Sequence, residues 1–349
     1  MPEATPTPEP QQPHRRRPRY SGKNPRHFEE KYKERDSLRH ADTVAKVIAS
    51  GKTPAGTHRP IMVTEILDAL APKAGDIAVD CTLGHGGHAQ EILARIQPGG
   101  VLIGLDADPI ELPKTESRLR AMRFGPETFI AMRSNFAGIA QALAAHAIAG
   151  ADMVLADLGV SSMHIDDPAR GFSVNLDGPL DMRMNPQRGR SASALLEKIR
   201  PAALAALLDE NADEPHATVL ACALAGKKFA RTTALANAIR AAIPKIKTDA
   251  AALSVRRVFQ ALRIAVNDEF SALDMLLRQL PDCLKPGGRA AILTFHSGED
   301  RRVKKAFDAG QREGIYAAVS DGVIRPTPAE QHSNPRSAPA KLRWARRAG

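Results

Sequence analysis

The sequence predicts an α/β fold, a parallel sheet with helices on both faces, interrupted by a long all-helical insertion. Short apolar runs recur roughly every 25 residues from position 77, with helical spacing between them. That rhythm then lapses for roughly 130 residues of alanine- and leucine-rich helical pattern before the next convincing strand, far more than one crossover helix needs. Between the first run and the helix after it lies a glycine-rich turn, Gly84-His85-Gly86-Gly87. A strand, a glycine turn and a helix in that order are how several enzyme classes hold a nucleotide-like ligand.

In chain order, Ile61–Leu70 has the spacing of a short helix. Ile77-Ala78-Val79 runs into Asp80 as a first strand, and Glu91–Ile96 belongs to the helix after the turn. Val101–Leu105 is a second strand ending at Asp106, Thr128–Met132 a third, and Met153–Ala156 a fourth ending at Asp157. The gap holds helical patterns over Ala194–Leu208, Thr218–Lys227, Thr233–Ala242 and Val255–Val266. Leu273–Leu284 returns the chain to the sheet, and LKPGGRAAIL supplies a helix stop, a turn and the fifth strand, Ala290–Phe295. These boundaries give a sheet domain over 56–165 and 271–349 and a helical insertion over 166–270. An insertion at the carboxyl end of strand four stands at the ligand edge of such a sheet and covers or extends the site.

Upstream, the first 25 residues are rich in Pro, Gln and Arg and are expected to be disordered. Phe28, Tyr32, Leu38, Val44 and Ile48 have the spacing of one helix, and GKTPAG (51–56) reads as a linker. The net charge is +10, and residues 1–55 alone carry 12 Lys/Arg against 7 Asp/Glu. A basic extension of this kind suits a polyanion, RNA ahead of a membrane, or simply a solvated tail. No window approaches ~18 uninterrupted apolar residues, so no membrane span is expected, and the N-terminus lacks the apolar segment of a secretory signal. Cys81, Cys222 and Cys283 lie far apart, with neither metal-ligand nor disulfide spacing, which fits a reduced cytoplasmic protein.

The turn Gly84-x-Gly86-x-x-Ala89 satisfies a relaxed dinucleotide fingerprint, and Asp106 stands where a ribose-binding acid belongs. A nicotinamide oxidoreductase and an S-adenosylmethionine (SAM) methyltransferase share both features. Three others favour SAM. Asp80 precedes the turn and suits an ammonium better than a pyrophosphate; Asp157 ends strand four, where the reactive end of the ligand would lie; and LKPGG precedes strand five, as in many methyltransferases.

Asp157–Met184, DLGVSSMHIDDPARGFSVNLDGPLDMRM, resembles the signature of the small-subunit ribosomal RNA methyltransferase H family. Supporting blocks follow in that family's order: THRPIMVTEIL (57–67), DCTLGHGGHA (80–89), GLDADP (104–109), FQALRIAVNDE (259–269), LKPGGRAAILTFHSGEDR (284–301) and NPRSAPAKLR (334–343). The resemblance covers roughly residues 57–347. It implies a Rossmann-like SAM-dependent methyltransferase sheet with an inserted all-helical substrate-recognition domain. It also implies methylation of N4 of a cytidine in the decoding region of 16S rRNA, with the small ribosomal subunit as partner. Carried over by position, the cofactor contacts fall on Gly86, Gly87 and His88, on Asp106 for the ribose, Phe136 near the adenine, Asp157 near the methionine end, and His164 where the family usually has glutamine. Other departures are NADEPHATVL at 211–220, Ala252-Leu253 in place of His-Pro, Gly298 in place of leucine, and Pro339. Most fall on the side expected to face RNA, which leaves a non-catalytic ribosome-binding relative as a further alternative.

SAM is an activated donor, so the enzyme must mainly align an acceptor with its methyl group. The lone pair of cytosine N4 is delocalised into the ring. An acceptor for its N–H would localise that pair and carry developing positive charge. Asp157 is the candidate, directly or through Ser161, with His296 orienting the base. Arg170, Asp181 and Arg183 would stand on the loop entering the insertion, arginines holding phosphates and Phe172 stacking a base. Methylation at cytosine C5 would need a thiolate, and no Pro-Cys pair follows strand four; Cys81 reads as a packing residue.

Overall fold

A computed structural model describes residues 60–243 and 248–349. The expected disordered start, the helix over 27–50 and the linker lie outside the described residues. Alternate residues of each strand enter opposite cores, which is what makes both faces of this sheet buried. Val79, Ile103, Leu105, Val154, Ala156, Ala290 and Ile292 point into one apolar cluster. Their strand neighbours Ala78, Leu102, Met153, Leu155, Ala291 and Leu293 point into the other.

The elements run α1 (Val63–Leu70), β1 (Ile77–Asp80), α2 (Gly87–Ile96), β2 (Val101–Asp106), α3 (Glu111–Ala121), β3 (Phe129–Arg133), a 3₁₀ turn (Phe136–Gly138), α4 (Ile139–Ala145), β4 (Ala151–Asp157) and α5 (Ser162–Asp166). The helical segment follows as α6 (Ala192–Lys198), α7 (Pro201–Ala212), α8 (Ala217–Leu224), α9 (Thr232–Ala242) and α10 (Thr248–Asn267). The chain returns through α11 (Glu269–Cys283), β5 (Leu284–Thr294), α12 (Ser297–Arg312), β6 (Tyr316–Val319), α13 (Pro328–Ser333) and β7 (Lys341–Arg347).

The seven strands are ordered β3-β2-β1-β4-β5-β7-β6. Strands β1 to β5 pair in parallel, whereas β7 runs antiparallel between β5 and β6. The order reverses at β1 and β4, so their carboxyl ends, Asp80 and Asp157, face the crevice where such sheets take ligands.

Three expectations need correction. The pattern over Ala194–Leu208 is two helices, because Pro201 has no N–H to give a continuing helix and instead occupies the first turn of α7. LKPGG is not a turn ahead of a strand but the start of β5, with a register shift against β4 absorbing its glycines, and Phe295 lies past the strand's end. Strands β6 and β7, which the reading of the sequence lacked, complete the sheet.

The helical segment has its own core, built from residues such as Phe172, Leu196, Leu208, Leu235, Val258 and Leu262. Asn267, at the end of α10, ties the return path to the departure. Its Oδ1 accepts from the Met184 N–H at 2.7 Å and its Nδ2 donates to the Met182 carbonyl at 2.8 Å.

Candidate active site

The glycine turn is held against the tip of β2. The Leu83 N–H donates to the Leu105 carbonyl at 2.8 Å, and the Gly84 N–H donates to Asp106 Oδ2 at 2.8 Å. Gly86 has a φ of +77°, and a Cβ there would meet Thr115 Cγ2 at 2.9 Å, so both conformation and space require glycine. Gly87 and His88 then open α2, whose N-terminus has no side-chain cap. The first-turn amides are thereby left for an anionic ligand group. The other oxygen of Asp106 accepts from the Asp108 N–H at 2.8 Å. Each carboxylate oxygen keeps a second lone pair, enough for a vicinal diol.

Asp157 is placed through its backbone, whose N–H donates to Thr82 Oγ1 at 2.6 Å. The Thr82 N–H in turn donates to Asp80 Oδ1 at 3.0 Å, tying the tips of β1 and β4. The Asp157 side chain is 20% exposed, and its nearest ionisable partner is His88 Nδ1 at 3.6 Å from Oδ2. Among the described residues no group donates a hydrogen bond to this carboxylate. Burial, then the negative charge of Glu299, pushes its pKa up to about 7. Asp80 is pushed up to about 6 by burial, against the opposing pull of His88 and the Thr82 N–H. Burial raises the Cys81 thiol well above its ordinary range, which fits packing and not nucleophilic attack.

The remaining expected residues fall into two groups. Ser161 is the N-cap residue of α5, and its Oγ lies 3.2 Å from His164 Nδ1. His164 Nε2 lies 2.8 Å from Asp108 Oδ2. Arg170 Nη1 donates to that same oxygen at 2.7 Å, and Nη2 donates to the carbonyls of Arg183 and Met184 at 3.0 and 2.8 Å. A guanidinium engaged on all these acceptors is not free to hold a phosphate, so the expected role of Arg170 is corrected to one of fixing the loop into the insertion. Phe172 is likewise buried in the helical core, its ring centroid 5.2 Å from that of His164, and not presented to a base. Asp181 and Arg183 pair with each other at 2.7–2.8 Å on a half-exposed surface.

His296 stands at the N-cap of α12, accepting at Nδ1 from the Glu299 N–H at 3.4 Å. Its Nε2 lies 3.1 Å from Glu299 Oε1 but off the line of a hydrogen bond, and is buried with no other partner among the described residues. Glu299 Oε2 accepts from the Phe295 N–H at 2.8 Å. His296 and Arg263 outweigh the burial of Glu299 and hold its carboxyl below the ordinary range. Arg263 also grips both oxygens of Glu269, at 2.9 and 2.8 Å. Glu269, His296 and Glu299 bring one donor atom each within 4.8 Å, but both oxygens of Glu269 are already taken by Arg263. Gly298 makes room for Phe270: a Cβ there would lie 2.6 Å from Phe270 Cζ. The guanidinium of Arg302 lies 3.6 Å from the centroid of that ring. Phe136, Glu269, Phe270 and Glu299 line one small cleft together with Leu158, the residue after Asp157.

Sequence reasoning missed Asp108, Glu269 and Glu299 as members of the site. Asp108 and Glu299 stand inside the blocks GLDADP and HSGED, two and three residues from Asp106 and His296, so a search for acids flanking each strand tip would have found them.

The model of the MraW methylase family matches residues 55–348. Ribosomal RNA small subunit methyltransferase H 1 of Lachnoclostridium phytofermentans is 48% identical over 95% of this chain and 93% of its own length. The protein of the same name from Agathobacter rectalis is 47% identical over 96% of this chain and 98% of its own. Among solved structures, an rRNA methylase from Streptococcus thermophilus is similar at a TM-score of 0.39 and 12% identity, covering 84% of this chain and 98% of that one.

Proposed function

This chain belongs to the MraW methylase family, and from that premise we propose that it methylates N4 of a cytidine in the decoding region of small-subunit rRNA. The observation that carries the assignment is Asp157, a half-buried carboxylate without a hydrogen-bond donor among the described residues, standing beside a glycine turn and an uncapped helix N-terminus. The residues fit SAM: Gly86 lets the turn lie close against α3, the first turn of α2 suits a carboxylate, Asp106 suits ribose hydroxyls, and Asp80 suits an ammonium. A bare pyrophosphate would meet Asp80 and Asp157 unfavourably, which leaves the nicotinamide alternative without support.

When bound, SAM supplies an electrophilic methyl group. Asp157 would accept the N4–H as the new C–N bond forms, localising the nitrogen lone pair and taking up the positive charge that develops there. Its raised pKa suits a base working near neutral pH. Phe136 would lie against the adenine. Glu299 acts on Asp157 through its negative charge, and His296 helps hold the Glu299 carboxylate ionised. Arg170 and His164 position the loop into the helical segment, which serves as the substrate-recognition domain, and Asp181 and Arg183 on that loop remain candidates for contact with RNA. No helix among the described residues is long and apolar enough to cross a membrane; with ribosomal RNA as substrate, the site of action is cytoplasmic.

Incubating the protein with SAM and undermodified small subunits, then digesting the rRNA to nucleosides for mass spectrometry, should reveal N4-methylcytidine. Its absence, with active control enzyme in parallel, would reject the assignment. Turnover also separates this reading from a ribosome-binding relative without catalysis.

A further inference from the structure

We propose that His88 is a positioning residue for methyl transfer, receiving at Nδ1 the proton that Asp157 removes from the acceptor amine; this rests on the role of Asp157 given above. Two contacts fix the ring. Nε2 lies 2.9 Å from the Ile61 carbonyl oxygen, and a carbonyl can only accept, so Nε2 carries the hydrogen. In the neutral ring Nδ1 is then a bare lone pair. It faces Asp157 Oδ2 at 3.6 Å, the carboxylate oxygen within ion-pair reach among the described residues, while Asp80 acts on the ring from β1. Two lone pairs across that gap repel weakly while both atoms are unprotonated. Once a proton lies between them the same pair attracts and can close.

The surroundings suit a proton held there after the chemistry. Asp80 on β1, Glu91 on α2 and Glu330 on α13 all favour the imidazolium, while burial opposes it and sets the resting ring below its ordinary pKa. On the far side, Glu299 of α12 acts on Asp157, and Asp106 of β2 and Asp157 itself act on Asp80. Burial thus lowers the imidazole and raises the carboxyl, bringing the two sites toward one another in proton affinity.

The nitrogen lone pair forms the C–N bond as the C–S bond breaks with its electrons going to sulfur. The N4–H bond then breaks, its pair remaining on nitrogen, and an O–H bond forms on Asp157. That O–H bond breaks as Nδ1–H forms on His88, restoring the carboxylate beside an imidazolium. The imidazolium loses its proton to solvent as products leave.

The test compares wild type with His88→Gln, whose amide can still donate to the Ile61 carbonyl but cannot titrate. SAM affinity is read by calorimetry, and methyl transfer to undermodified small subunits is followed against pH. The variant keeps the backbone amide that His88 contributes to the first turn of α2, so it should bind SAM within about threefold of wild type but lose about tenfold or more in kcat. In wild type the competent state needs both groups unprotonated, so the acid limb of log kcat steepens from a slope of about one toward about two, whereas in His88→Gln it stays near one. Equal slopes in both proteins, or a loss accounted for entirely by weaker SAM binding, would overturn the proposal. Wild type without any methyl transfer would instead condemn the functional reading. The relay would then stand or fall on nitrogen-15 chemical shifts of the wild-type imidazole. A bare Nδ1 at alkaline pH is required, and an Nδ1–H tautomer overturns it.

Discussion

Arg170 and Asp108, 62 positions apart, form an ion pair at 2.7 Å in which the aspartate side chain is fully buried and the arginine 10% exposed. The contact joins the loop after β2, next to the expected ribose acid, to the loop that leads into the helical segment. Burial raises the Asp108 carboxyl, but the hydrogen bonds from His164 and Arg170 outweigh it and hold the group well below the usual carboxylate range.

Replacing Arg170 with Met should therefore cost roughly 3–5 kcal/mol in urea unfolding, because it leaves a buried carboxylate short of its cation. Adding Asp108→Asn should recover part of the loss, which a double-mutant cycle would quantify. Since the folded pKa of Asp108 is depressed, its contribution is present above the unfolded value of about 3.9 and is lost as pH falls further. Unfolding midpoints of wild type should drop more steeply below pH 4 than those of the double variant.

Asp157→Asn should lower kcat by about 100-fold or more with little change in SAM affinity, as seen by methyl transfer and calorimetry together. Its effect on stability has the opposite sign. The Asp157 pKa is raised in the fold, so its contribution is complete below the unfolded value of about 3.9 and is lost as pH rises through about 7. Above pH 7 the asparagine variant should be the more stable protein, by about 1–3 kcal/mol in chemical denaturation.

Glu299→Gln keeps an oxygen for the Phe295 N–H but removes a negative charge that raises Asp157. The acid limb of the kcat profile should move to lower pH in this variant. A limb that stayed in place would show that Glu299 is too well neutralised by His296 and Arg263 to act on Asp157.

Asp106→Ala should weaken SAM binding by about 10- to 100-fold, since it removes the expected ribose acceptor and two charge-assisted hydrogen bonds from the Gly84 and Asp108 amides. Calorimetry with SAM and with S-adenosylhomocysteine should show similar losses, because the ribose is common to both. A loss confined to SAM would place Asp106 at the sulfonium instead.

The donor half of this site was legible in the sequence because each acid closes an apolar run. Asp80, Asp106 and Asp157 follow strands whose periodicity is plain, and strand order then brings them to one edge. The acceptor half was not. Arg170 and Phe172 stand in a polar loop where nothing local distinguishes a phosphate clamp from a structural cation, and only the 62-residue partner at Asp108 decides it. His296 drew attention as a base orienter, but its own helix claims Nδ1, and the carboxylate that acts on Asp157 is Glu299 one turn further on. Strands β6 and β7 escaped because KLRWARR carries four basic residues in seven; β7 lies between two strands, with Arg343 neutralised by Asp300 at 2.8 Å.

Asn267 is one of several ties at the neck of the helical segment, one amide stitching the outgoing strand of chain to the incoming helix, beside Arg170 on Asp108 and Arg301 on Asp213. The apolar core of the segment is its own, so substitutions confined to that core leave the two cores of the sheet unaltered. The stretch 211–220 is the exception, since Asp213 reaches Ser297 and Arg301 of α12, so a change there is felt beside His296 as well as inside the segment.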